Sequence, residues 1–96
     1  MEILFTIPAR EDLKEIKKYI CNDDFQAAQK VIKHIIECIE MLKNNPSMGH
    51  AGRVLRTREL VITKYPYIVP YQIKDDIIYI LRVLHTSQKY NVNKLL

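Results

Sequence analysis

Hydrophobic positions along this chain change their spacing twice, dividing it into a short strand, two helices and three strands. Ile3-Leu4-Phe5 is a short apolar run that predicts a strand over 2–6. Pro8 then opens a helix, where its missing N–H does no harm. Ala9, Leu13, Ile16 and Ile20 recur at helical spacing, with Glu11, Asp12, Lys14, Glu15, Lys17 and Lys18 on the other side. The acids precede the lysines, as the helix dipole favours, and Asn22 marks the stop. Asp23, with Gln26 three residues on, reads as a capping box opening a second helix. Ala28, Val31, Ile32, Ile35, Ile39 and Leu42 form one apolar stripe along it, ending near Asn44-Asn45 before Pro46. The link between the helices is short, so they are expected to pack antiparallel.

After a loop over 45–52, which holds Gly49 and Gly52, the apolar period falls from that of a helix to that of a strand. The segments 57–63 (TRELVIT), 67–74 (YIVPYQIK) and 77–85 (IIYILRVLH) predict three strands. Lys64-Tyr65-Pro66 and Asp75-Asp76 are turns short enough to make them an antiparallel meander. Pro70 falls within the middle strand, where it costs a ladder hydrogen bond, and predicts a bulge or break. In the last strand Ile78, Ile80, Arg82 and Leu84 share one face, and Ile77, Tyr79, Leu81, Val83 and His85 the other. Both faces are largely apolar, and two helices can cover only one. The second face is either exposed or covered by a partner, and so apolar a surface favours the partner. Arg82 interrupts its face and calls for a counter-charge, for which Glu59 is the natural candidate.

Ninety-six residues support a single domain, 1–96, of class α+β: an N-terminal strand and an antiparallel αα-hairpin packed on a small, mainly antiparallel sheet. The apolar runs are far shorter than a membrane span, and the N-terminus lacks the features of a secretory signal, so a cytoplasmic location is expected. Cys21 and Cys38 fall about 20 Å apart on such a hairpin, too far for a disulfide, and two free thiols suit a reducing compartment. The net charge of +4 suggests an acidic or polyanionic partner unless it serves only solubility.

The ordered set TRELVI, YPYIVPYQI and DxxIYILRVLHTSQKY, with the N-P-x-M-G loop ahead of an arginine, resembles the ParE/RelE superfamily of type II toxin–antitoxin toxins. The resemblance covers nearly the whole chain. It implies a bacterial growth-inhibiting toxin, of the kind tied to plasmid stabilisation, held inactive by a cognate antitoxin that wraps around it. It also implies contact with operator DNA only through that antitoxin, and no membrane partner. Two activities occur on this fold: RelE-like members cleave mRNA on the ribosome, and ParE-like members poison DNA gyrase.

Cutting RNA through its own 2′-OH needs a base, cations at the phosphorane, and help for the leaving oxygen, but no metal or other cofactor. No metal-ligand spacing is present. His85 ends the last strand, and an unperturbed imidazole titrates near about 6.5, so it is the candidate base unless it is merely structural. Arg58 completes the catalytic set with Tyr90, which either stacks on a base or covers the core. Arg53, Arg56 and Lys89 are the candidates for holding a nucleic acid or other target, or else form a solvated basic edge. His50 is a weaker candidate in its loop, and His34 has no evident chemistry. The resemblance to RelE-type nucleases would place an arginine where Ile68 stands, and their lysine-rich loop has only Arg53 and Arg56 to match it. The balance therefore favours a ParE-like gyrase-binding toxin, with ribosome-dependent mRNA cleavage second and an inactive basic binding module third.

Overall fold

Both helices form where the apolar spacing puts them. The computed structural model describes residues 1–88; Lys89 and Tyr90 lie outside the described residues. Helix α1 spans Ile7–Cys21 and α2 spans Phe25–Glu40, followed by a 3₁₀ turn over Met41–Lys43. Thr6 caps α1, its Oγ1 accepting the Ala9 N–H at 3.3 Å. The cap of α2 is Asp24 and not Asp23: its carboxylate accepts the Ala27 N–H at 3.1 Å. The N–H groups of Asp23 and Asp24 both donate to Ile20 O, at 3.0 and 2.9 Å, closing α1. At Asp24 the backbone then turns extended (φ −156°, ψ 108°), as a cap requires, so the expected box is displaced by one residue.

The sheet comprises β1 (Glu2–Phe5), β2 (His50–Ala51), β3 (Arg58–Ile62), β4 (Tyr67–Lys74), β5 (Ile77–Ile80) and β6 (Leu84–His85). Its order is β1-β5-β4-β3-β2, with β6 also on β4. β1 lies parallel to β5, and every other pairing is antiparallel. The fold is therefore α+β, as expected. Asp75 and Asp76 turn the β4–β5 hairpin with φ of 53° and 62°, the left-handed pair that a tight two-residue turn demands.

The single last strand expected over 77–85 is instead two. β5 stops at Ile80, opposite Tyr71, and β6 resumes at Leu84, opposite Ile68. Residues 81–83 therefore oppose only Val69 and Pro70, a bulge. Pro70 is its physical reason. Its carbonyl accepts the Leu81 N–H at 2.9 Å, so its edge faces this strand, and it has no N–H to offer there. The bulge reverses which residues face the helices. Ile78 and Ile80 lie in the core, as does Val83, whereas Leu84 pairs with Ile68 on the opposite face. His85, expected beside Tyr79 and Val83, stands instead opposite Tyr67 on the helix side.

Leu60, Ile62, Tyr67, Val69, Tyr71, Ile78 and Ile80 meet Ala9, Val31, Ile35, Ile39 and Leu42 of the helical layer. Each fully buried side chain of this size contributes about 2 kcal/mol. The other face is partly open: Leu4 and Val61 are 42% and 45% exposed, and Ile68, Ile77 and Tyr79 are half-buried.

Arg82 does not pair with Glu59. Its guanidinium grips Asp12 of α1 with two hydrogen bonds, Nε to Oδ2 at 2.7 Å and the terminal nitrogen to Oδ1 at 2.9 Å. Asp12 Oδ2 also accepts the Val83 N–H at 2.9 Å. Arg82 keeps the face of Ile78 and Ile80 and so reaches α1, while Glu59, paired with Pro70, belongs to the face the helices leave open. The hydrogen bond that Arg82 donates to Asp12 holds the arginine's pKa above its ordinary value, against the opposing effect of burial. Thr6 Oγ1, within 2.8 Å of Ile80 O and 3.1 Å of Leu81 O, ties the start of α1 to the same bulge.

Candidate functional site

Strand β4 carries the candidate groups at two places, beside Tyr71 near its middle and beside Tyr67 at its start. At Tyr71, the fully buried phenol accepts the Gly49 N–H at 2.9 Å and donates to Pro46 O at 2.8 Å. Arg58 lies opposite Tyr71 in the register. Its Nε donates to Gly49 O at 2.9 Å, and one terminal nitrogen donates to Ser47 O and Gly49 O at 2.9 and 2.6 Å. A Cβ on Gly49 would lie 2.7 Å from both Glu59 O and the Tyr71 hydroxyl, so the loop approaches this closely only as glycine. Arg58 thus fastens the 46–49 loop to the sheet, and its fork is spent on backbone carbonyls, not turned towards a phosphate.

Arg53 belongs to the same construction. Its backbone N–H donates to Glu59 Oε2 at 2.9 Å, and its Nε sits 3.7 Å from the same oxygen. Glu59 is buried while the Arg53 side chain is half exposed, so the carboxylate predicted to meet Arg82 meets Arg53. Arg56 is exposed and left-handed, with φ of 68°. His50 stands opposite Glu59 on β2, exposed, with Nδ1 2.9 Å from Ala51 O.

The place beside Tyr67 is built differently. Tyr67 and His85 meet edge to face, centroids 5.5 Å apart at 85°. His85 Nδ1 lies 2.7 Å from Ser87 Oγ and accepts the Ser87 N–H at 3.1 Å, an arrangement that puts the neutral ring's proton on Nε2. The His85 N–H donates to Gln88 Oε1, and the Gln88 N–H to His85 O, both at 2.9 Å. These residues, with Glu15, Ile16 and Tyr19 of α1, line an open recess of about 460 Å³. Burial pushes the Tyr67 phenol up, and the neighbouring Tyr19 adds to this.

Arg58 and His85 are not brought together. Their partners Tyr71 and Tyr67 are four residues apart on β4, about 13 Å at strand rise. Tyr90 and Lys89, expected to complete the set, lie outside the described residues. On α2, His34 Nε2 is 3.4 Å from Cys38 Sγ and its ring meets Tyr65 edge-on. Burial, and then Glu37, push the Cys38 thiol up, away from a nucleophile's range. Cys21 and Cys38 are both free. Among the described residues no group of three His, Cys, Asp or Glu could hold a metal, and no helix is long and apolar enough to cross a membrane.

Sequence reasoning passed over Tyr71, Asp12 and Thr6. Only Gly49, in its loop ahead of Arg53, signalled a tight approach, and nothing in the pattern said what it approached.

A family model for the ParE toxin of the type II toxin–antitoxin system parDE matches residues 3–90. The Y4kP protein of Sinorhizobium fredii, a toxin by its description, is 41% identical over 88 residues, covering 92% of this chain and 91% of its own. Toxin RelE2 of Caulobacter vibrioides is 28% identical over 87 residues, covering 91% and 97%. Among solved structures, a chain of the chromosomal ParDE system from P. aeruginosa superposes with a TM-score of 0.82 at 27% identity, over 91% of this chain and 97% of that one.

Proposed function

Because this chain belongs to the ParE toxin family and is the toxin of a type II toxin–antitoxin pair, we propose that it arrests growth by binding DNA gyrase. Its direct partner in the resting cell is the cognate antitoxin, through which operator DNA is reached. The observation that supports binding over RNA cleavage is the separation of Arg58 from His85. A nuclease needs its base and its phosphate-holding cation about 3 Å from the same reacting group. Here the cation is committed to Ser47 and Gly49 carbonyls, and the imidazole pairs with a residue about 13 Å along β4. Ile68 stands half-buried where a RelE-like nuclease would carry an arginine. The likeness to the ParDE chain, close over almost the whole fold, points the same way.

A RelE-like mRNA interferase is the second reading, favoured by the likeness to Toxin RelE2 and by the His85–Ser87–Gln88 cluster. Induction of the toxin without its antitoxin, read two ways, separates them. Cleaved DNA–gyrase complexes with intact mRNA are the expected result. Codon-phased cuts in cellular mRNA, seen by primer extension, would overturn the gyrase reading. Growth unaffected by induction would leave the basic binding module as the surviving account. His85→Ala is expected to keep full toxicity; a toxicity lost while the protein still folds would restore His85 as a catalytic base.

A further inference from the structure

The recess beside His85 has a composition that the gyrase reading does not use. Tyr19 is 76% exposed on α1, although it is a large aromatic side chain beside an open hollow. Glu15 lies one turn earlier on the same helix and lines the same hollow, and no ion pair engages it among the described residues. Tyr67 and Ile16 line the same hollow. Among the described residues that line the hollow, Glu15 is the one formally charged group, in a chain whose net charge is +4. Two phenol rings, a lone carboxylate and an apolar floor are the elements that hold an organic cation against aromatic faces.

We infer that this recess is a binding site for a guanidinium group, the arginine side chain of a partner protein. Arginine fits better than lysine because its planar fork stacks on the rings while its N–H groups reach the carboxylate. The Ser87 hydroxyl and the Tyr67 phenol oxygen offer further acceptors at the rim. An anion, including a nucleic-acid phosphate, would meet Glu15 and be repelled. The adjacency of Tyr19 and Tyr67, which adds to the raised Tyr67 pKa, places both phenols where they can flank one bound group.

The test is an amide NMR titration of the full-length toxin with N-acetyl-arginine amide, against N-acetyl-citrulline amide as the uncharged isostere. Saturable shifts centred on Glu15, Tyr19, Tyr67 and His85 are expected with the arginine probe alone. Both Glu15→Gln and Tyr19→Ala alter exposed positions and leave the fold intact by circular dichroism; each should weaken binding about tenfold. Equal shifts from the citrulline probe would overturn the inference. So would arginine binding unchanged in Glu15→Gln, a recess occupied by inorganic phosphate instead, or no saturable shift at these amides. None of these outcomes depends on whether gyrase is the target.

Discussion

Two places on β4 use a tyrosine for opposite purposes. At Tyr71 a tyrosine and an arginine turn inward and spend their polar groups on the backbone of one loop. At Tyr67 a second tyrosine, a histidine and a carboxylate face an open hollow, and their polar groups are either tied within a short turn or left to solvent. A basic residue near a strand end is thus no guide to function by itself. What decides is whether backbone carbonyls lie within reach of it.

That contrast can be broken most severely at Gly49. Gly49→Ala drives a Cβ into Glu59 O and Tyr71, and should cost about 3 kcal/mol, read as a fall in the urea midpoint with an unchanged slope. An unchanged midpoint would mean the loop is not fastened as described. Between the two places, Asp12→Ala leaves Arg82 and the Val83 N–H without their partner. We expect a loss of about 2 kcal/mol, because the pair is only partly shielded from water. Hydrogen exchange should then open Val83 ahead of Ile78. Smallest is the pair of tyrosine truncations. Tyr71→Phe strands the Gly49 N–H and Pro46 C=O and should cost about 1.5 kcal/mol. Tyr67→Phe removes a hydroxyl from the wall of an open hollow and should change stability by less than about 0.5 kcal/mol. Equal costs for the two would erase the distinction between a closed place and an open one.

Much of the fold was legible because its periods are clean. The apolar stripe named Ala28, Val31, Ile35 and Ile39 of α2 and Leu42 of the turn after it, all buried, with Ile32 half-buried beside them, and the bounds of β4 fell where the alternation put them. Pro70 warned of an irregularity but not on which strand, since a missing donor is accommodated by whichever neighbour can bend. The face assignments of Val83, Leu84 and His85 then failed together, whereas Arg82 kept the helix side with Ile80 and lost Glu59 because that residue lies on the other face. The candidate site was less legible for a related reason. Arg53, Arg56 and Arg58 are alike as letters, yet two of them are anchored to carbonyls or a carboxylate, contacts that exist only after the 46–59 segment closes over the sheet. Tyr71 looked like one more strand aromatic because its partners lie more than twenty residues away in the loop.

Pro70 acts, in effect, as an inserted residue in a strand to which it does not belong. A chain written in alternating faces has a parity, and the bulge opposite Pro70 reverses it once. If residue 70 could donate and the ladder ran on unbroken past Ile80, Leu84 would fall opposite Tyr67 and His85 would emerge on the far side of the sheet, away from Glu15 and Tyr19. The hollow against α1 therefore has its histidine wall because one ring, on the adjacent strand, lacks a hydrogen.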